Sequence, residues 1–432
     1  MNPANSPSNA PSRRQFISAS AALGAVAALD LSLPHAAYAA GDDLLRVGLV
    51  GCGGRGTGAA AQALTADSNC KLTAMADAFP DALERSLKNL QAQKAVADRV
   101  DVPPERQFVG FDACQQLIDS GVDVVLLATP PHFRPMHLKA AVDAGKHVFA
   151  EKPVAVDAPG VRSVLATCEQ ARAKKLSIVS GLCLRYSHGF QQAIERIHGG
   201  AIGDVLTLFA NDYRGPIWTK ERQPQWSDME YQLRNWYYYT WLSGDFNVEQ
   251  HVHNLDVCVW LMKDQYPDRV VAMGGRQVRT GPAFGHIYDN FSAVYEYTSG
   301  TRLISNTRQQ SGCARDISNQ VIGSGGFARV SEKGLNIQGG KPWTFEGKDN
   351  NFYVTEHEEL FRSIRNGEAI NNGDYMAKST LLAIMARMSA YTGQAITWDQ
   401  AMSSTEDLSP PSYEWGPLPT PPVAMPGVTK FA

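Results

Sequence analysis

The chain has 432 residues, 44% of them hydrophobic and 19% charged, so a sizeable core and two domains are expected and a disordered chain is excluded. A net charge of −3 supplies no basic field for nucleic acid or an anionic membrane. Seven cysteines are scattered without a C-x-x-C pair, which argues against both a disulfide framework and a zinc site.

The first 39 residues read as a removable leader. Ser12-Arg13-Arg14-Gln15-Phe16-Ile17 is a twin-arginine pattern, an apolar run follows from Phe16 to Leu29, and Ala37-Tyr38-Ala39 reads as an A-x-A cleavage site. The run is too short to span a bilayer, so the mature protein is expected to carry no membrane span. That route exports folded proteins, which places this one in the periplasm or another extracytoplasmic space. Unpaired cysteines suit a chain that folds in a reducing compartment before it crosses.

Residues 44–50, "LLRVGLV", predict a strand that runs into glycines, and 56–67 a helix. A second strand is expected at 70–77, a helix at 79–95 and a buried strand at 121–131 closed by two prolines. A helix at 137–146, a strand at 147–155, a helix at 159–175 and a strand at 176–186 complete the alternation. Strands alternating with helices define a parallel sheet covered on both faces, here a domain over 40–185. From 186 to 407 the pattern changes. Runs at 204–215, 269–279, 290–300 and 301–310 alternate as strands of an antiparallel sheet with one exposed face. Helices are expected at 188–200, 246–263, 353–367 and 375–393. The proline-rich tail, 408–432, is expected to run extended over the surface. The predicted fold class is α/β: an N-terminal Rossmann domain and a C-terminal α+β domain with a large, mainly antiparallel sheet.

Three stretches carry chemistry. In "LVGCGGRGTGAA", Gly51, Gly53 and Gly56 have the G-x-G-x-x-G spacing between a strand and a helix, with Gly54 and Arg55 in the same loop. That loop suits a pyrophosphate at a helix N-terminus. Asp77 closes the next strand, where a carboxylate would accept from ribose hydroxyls and repel a 2′-phosphate. The cofactor expected is therefore NAD rather than NADP. In "AEKPV", Lys152 after Glu151 leaves a buried strand and can relay a proton from a substrate hydroxyl. In "SGDFNVEQHVHNLD", Glu249 and His253 stand four apart on one helical face and can act as orienter and general base. Gln250 and His251 begin the same turn. The spacing also resembles half of a metal site, but no second carboxylate cluster supports one, and no metal is expected. The aromatic run "RNWYYYTWLSGD" offers Trp236 and Tyr238 as surfaces for a sugar ring. Arg185, Tyr186, Trp236, Tyr238, Gln250 and His251 are the expected substrate contacts.

Taken in order, "GLVGCGGRGTG", "ATPPHFR", "AGKHVFAEKP" and "EQHVHNLD" resemble the glucose–fructose oxidoreductase/inositol dehydrogenase/MocA family over nearly the whole mature chain. The resemblance implies a sugar, glycoside or cyclitol substrate whose hydroxyl yields a hydride to a nicotinamide cofactor, and export beyond a NAD pool implies that the cofactor is tightly held. A redox-neutral NAD-dependent glycoside hydrolase or lyase is the alternative. It further implies that Ala128, Thr129, Pro130 and His132 line the cofactor, that Lys152, Glu249 and His253 are catalytic, and that the large sheet joins subunits into a homo-oligomer, a dimer or tetramer. His251 stands where the family commonly has glycine, which would put a bulky polar group near the sugar.

Overall fold

The structure is a computed structural model, and it describes residues 43–432. The expected leader and its cleavage site lie outside the described residues.

Six parallel strands form the first sheet: β1 (Leu45–Val50), β2 (Cys70–Asp77), β3 (Gln107–Val109), β4 (Val124–Leu127), β5 (His147–Ala150) and β6 (Ile178–Ser180). Their order is β3-β2-β1-β4-β5-β6, so the strand order reverses between β1 and β4. Every residue of β4 and β5 is buried, as a parallel strand covered on both faces requires. The covering helices include α1 (Gly54–Ala66), α2 (Pro80–Gln91), α3 (Ala113–Asp119), α4 (Arg134–Asp143) and α5 (Ala158–Ala173). The strand expected over 147–155 ends at Ala150, because Pro153 lacks the N–H a ladder needs and the chain turns out of the sheet.

After helix α6 (His188–His198) comes a nine-stranded sheet. It contains β7 (Val205–Arg214), β8 (Arg269–Gly275), β9 (Asn290–Glu296), β10 (Arg302–Gln309), β11 (Asp316–Gly323), β12 (Gly326–Ser331), β13 (Gly334–Gly339), β14 (Trp343–Thr344) and β15 (Ile396–Thr397). It is antiparallel except where β10 pairs with β7. On its covered face lies α8 (Val252–Leu261); α7 (Asp228–Arg234) precedes it in the chain.

Two late helices return to the first domain. The helix α9 (Phe352–Asn366) packs on α1, and the 20-residue α10 (Gly373–Thr392) packs on both α5 and β8. One hydrophobic cluster therefore runs through both domains, from Leu127 and Val148 to Leu255, Tyr295 and Leu382. A shared core resists hinge motion, so the cleft between the sheets has a set width. A final short helix, α11 (Trp398–Ser403), leads into the tail. Six cysteines are buried and unpaired, and Cys313 is exposed. No helix among the described residues is long and apolar enough to cross a membrane.

Candidate active site

The site begins where β1 ends. Gly51 has φ +96°, and its N–H donates to the Ala76 carbonyl at 2.8 Å. A Cβ there would lie 2.6 Å from the Ala128 carbonyl carbon, so only glycine lets the loop cross the end of β4 this closely. At Gly56 a Cβ would strike the Gly51 carbonyl, so α1 can start directly against the loop only with glycine there. Gly53 and Gly54 face open space. The N-terminal N–H groups of α1 thus open onto a cavity of about 1060 Å³, lined by the loop, by Ala128, Thr129 and Pro130, and by Asp77. It sits at the strand-order switch point, the position at which such sheets bind nucleotides. Loop, helix terminus and volume fit a dinucleotide.

Asp77 holds the loop as well as facing the cavity. Its carboxylate accepts from the Cys52 N–H at 2.6 Å and the Phe79 N–H at 2.9 Å. Burial still raises its pKa above the ordinary carboxylate value. Arg55 turns away from solvent to ion-pair with Glu151, and reaches Glu356 of α9 at 3.2 Å while lying over the Tyr353 ring at 5.1 Å. Glu356 is fully buried, and burial, then the charge of Glu151, pushes its carboxyl well up. Arg55 therefore ties the glycine loop to the loop after β5 and to α9, the late helix packed on α1.

Lys152 and Glu249 line neither cavity: Lys152 Nζ donates to the Glu249 main-chain oxygen at 2.6 Å and lies 3.1 Å from its carboxylate. The helix expected over 246–263 is interrupted. Phe246–Glu249 makes one turn, and α8 starts at Val252. Asp245, at φ +76°, sets the first turn by accepting from the Phe246 and Tyr288 N–H groups. The interruption leaves Gln250 and His253 facing a polar cavity of about 200 Å³, together with Arg214, Asn254, Asn319 and Glu332. His253 is pushed well below the ordinary histidine pKa, by burial first and then by the positive charges of Lys152, Arg214 and Arg55. It is therefore neutral near pH 7. Its Nδ1 has no hydrogen-bond partner among the described residues. Tyr353 lines the same small cavity, and Arg55, which lies over its ring, lines the large one, so this stacked pair stands between the two cavities.

Several expected residues lie elsewhere. His251 points into the sheet, fully buried, with Nε2 2.8 Å from Ser305 Oγ, so the bulky group expected near a sugar is absorbed by the core. Arg185 does not line the small cavity: it makes two 2.9 Å bonds to Asp256, one of 2.8 Å to Asp264, and lies over Tyr375. The Tyr186 hydroxyl donates to Asn372 at 2.7 Å, and Tyr238 is buried with its hydroxyl on the Trp218 carbonyl. His132 is buried against Trp241, with Nε2 2.8 Å from the Tyr413 hydroxyl; His137, one turn on, lines the large cleft instead. Trp236 lines the large cleft rather than the small cavity.

Sequence reasoning missed Arg214, Asn254, Asn319 and Glu332. A signal existed for one of them. Asp212 and Arg214 alternate on the covered face of β7, where a charged pair at 2.5 Å marks a polar pocket rather than core.

A parallel sheet with a glycine loop at its switch point, closed by an open-faced antiparallel sheet, defines a two-domain dinucleotide-binding protein. Residues 45–178 match the oxidoreductase family with an NAD-binding Rossmann fold named GFO/IDH/MocA, and residues 190–329 match the C-terminal domain of the same family. The chain belongs to the Gfo/Idh/MocA family. It is similar to an inositol 2-dehydrogenase of Rhizobium meliloti, 23% identical over 73% of this chain and 85% of that protein. It is also similar to a 2,7-anhydro-N-acetylneuraminate hydratase of Escherichia coli, 27% identical over 46% of this chain; that match spans half of the relative's length. Among solved structures, the fold resembles an aldose-aldose oxidoreductase from Caulobacter crescentus complexed with glycerol (TM-score 0.64, 19% identity, 82% of this chain and 99% of that one). It likewise resembles a levoglucosan dehydrogenase in complex with NADH and levoglucosan (TM-score 0.63, 16% identity, 82% and 100%).

Proposed function

We propose that this protein is an NAD-dependent oxidoreductase that takes a hydride from a sugar, glycoside or cyclitol hydroxyl. The observation that carries this is the neutral His253 in a polar cavity, beside the Lys152–Glu249 pair and separated from the dinucleotide cleft by the Arg55–Tyr353 stack. When bound, the nicotinamide supplies the hydride acceptor. His253 takes the hydroxyl proton at a ring nitrogen. Lys152, held by Glu249, places a positive charge where the oxygen gains negative charge, which lowers the barrier without itself moving. Arg214, Gln250 and Glu332 orient the remaining hydroxyls, while Asn254 and Asn319 bond each other; hydrogen bonding of this kind rejects analogues that lack a hydroxyl. The names of the relatives, an inositol dehydrogenase among them, support the substrate class. The test is a panel of aldoses, glycosides and inositols, read by the absorbance of reduced nicotinamide. If the protein binds NAD and no member of the panel reduces it, the dehydrogenase reading is wrong.

The relative named as a hydratase favours a second reading, a redox-neutral hydrolase or lyase that uses the same cofactor. Product without free NADH would establish it over the first.

Three further parts of the reading rest on different features. NAD is preferred over NADP because Asp77 faces the cleft as a carboxylate. Export by the twin-arginine route, with NAD bound beforehand and kept as a prosthetic group, rests on the leader sequence. Outside the cytoplasm there is no NAD pool to draw on. Extensive dialysis of the mature protein followed by mass analysis of the released small molecule decides that point; protein that emerges empty refutes it. Homo-oligomerisation rests on the open face of the large sheet. There Val271, Val294, Ile304 and Phe209 stand side by side on β8, β9, β10 and β7, with Met273 72% exposed next to them. An apolar row of this kind on a sheet face suits a second subunit.

A further inference from the structure

The tail is anchored to both domains rather than lying loose on one. Its first part binds the nucleotide domain. The Leu408 N–H donates to Asp157 at 3.1 Å, Tyr413 bonds His132 at 2.8 Å, and Trp415 packs on Phe79 and Phe111 with centroids at 5.5 and 4.6 Å. Its second part binds the other domain. Met229 N–H donates to the Gly416 carbonyl at 3.1 Å, Gln232 to Leu418 at 2.6 Å and the Tyr288 hydroxyl to Ala424 at 2.9 Å. The segment then closes on itself, since the Thr405 N–H donates to the Ala432 oxygen at 3.3 Å.

The two rings under Trp415 line the dinucleotide cleft. Phe79 stands two residues after Asp77, so this is the end at which an adenosine would sit. From the opposite domain, the Arg234 guanidinium covers Phe79 at 4.0 Å and pairs with Asp81 at 2.9 Å. Phe79 is thus braced by Arg234 and by Trp415, so the wall at this end of the cleft is fixed from both domains. The prolines along the strap lower the entropy lost in ordering it.

We propose that residues 404–432 are a strap that retains the dinucleotide, with Trp415 the positioning residue that braces Phe79 and Phe111. This rests on the reading that the large cleft holds NAD. It assigns the long residence of the cofactor to a segment far from the glycine loop in sequence. The strap acts on release and leaves hydride transfer alone.

The experiment loads the full-length protein with NADH and chases it with excess NAD, following the loss of bound NADH fluorescence, alongside Tm and the single-turnover rate. Trp415→Ala is expected to release NADH about tenfold faster, the effect of losing two aromatic contacts, with the single-turnover rate unchanged. Trp415→Phe should restore most of the residence time. Met425→Ala, in the same strap with its side chain 60% exposed, should match the wild type. Should Trp415→Ala not fold, Trp415→Leu reads the same quantity, since it keeps an apolar branched side chain and removes the ring. Normal binding with wild-type release in the Ala or Leu variant overturns the strap alone. A wild-type protein that binds no NADH overturns the cofactor reading and the strap with it.

Discussion

Lys152 and Glu249 meet by two contacts from one ammonium group, 2.6 Å to the main-chain oxygen and 3.1 Å to the carboxylate. The lysine comes from the loop after β5 and the glutamate from the turn before α8, so the pair joins the two domains beside His253.

From this arrangement, His253→Ala, which removes the base, and Lys152→Ala, which removes a charge beside the reacting oxygen, are expected to keep the fold and the cofactor while lowering turnover by about 10²–10⁴-fold and about 10²–10³-fold. Single-turnover rates with the true substrate and equilibrium NADH binding are the two measurements. Either variant turning over near the wild-type rate removes that residue from the mechanism.

Asp77→Ala should weaken NAD far more than NADP, because the substitution removes an acceptor for ribose hydroxyls and a repulsion for a 2′-phosphate. It also frees the Cys52 and Phe79 N–H groups, so some loss of affinity for both cofactors is expected. Titration of each cofactor into wild type and variant gives the ratio. A wild-type preference for NADP would reverse the assignment.

Arg185→Ala should act on stability and leave substrate affinity alone. The variant strands Asp256 buried without its partner, a loss of about 3–5 kcal/mol for a buried pair. Tm should fall while KM of the folded protein stays unchanged. A raised KM at unchanged Tm would return Arg185 to the substrate site.

Acid should destabilise the protein well before carboxylates titrate. Burial holds His132, His137 and His286 at about 4, and His251 and His357 at about 3. Unfolded, these rings take up protons near the ordinary value of about 6.5, so stability falls as pH drops from there towards 4. Each contributes about 1.4 kcal/mol per pH unit within that window. Asp245, raised to about 6 by burial, has the opposite sign: its contribution is present at low pH and is lost as pH rises towards 6. Asp77, Asp157, Asp212 and Glu356, also raised by burial, share that sign, while His147 and His253, lowered by burial, join the other five rings, so seven histidines outweigh five carboxyls and the net slope keeps its sign. Chemical denaturation at several pH values, with proton uptake on unfolding, tests this; a flat profile between pH 6.5 and 4 would refute it.

Which parts were legible in the sequence follows from the range of the forces involved. The glycine loop, Asp77 and the alternating strands of the first domain depend on neighbours a few residues apart, and their patterns survive in one dimension. His251 was misplaced because its direction depends on the helix break at Gln250, which Asp245 sets through a bond to Tyr288, 43 residues on. Arg185 was misplaced because its partner, Asp256, is 71 residues away. Strands β11 to β13 were passed over because their covered positions include Asn319, which bonds Asn254 of α8 and so breaks the apolar alternation. The tail was legible as extended and proline-rich, but what it grips was not.

The burial of six cysteines leaves Cys313, between β10 and β11, as the thiol that solvent reaches. A maleimide dye should therefore attach at one place in the folded protein without a cysteine-free background having to be engineered. Placed on the connection between two strands of the large sheet, that dye would report by energy transfer when two copies associate. The same exposed sulfur predicts that ageing in air yields at most a disulfide-linked pair, which reductant reverses, and no mixture of scrambled forms.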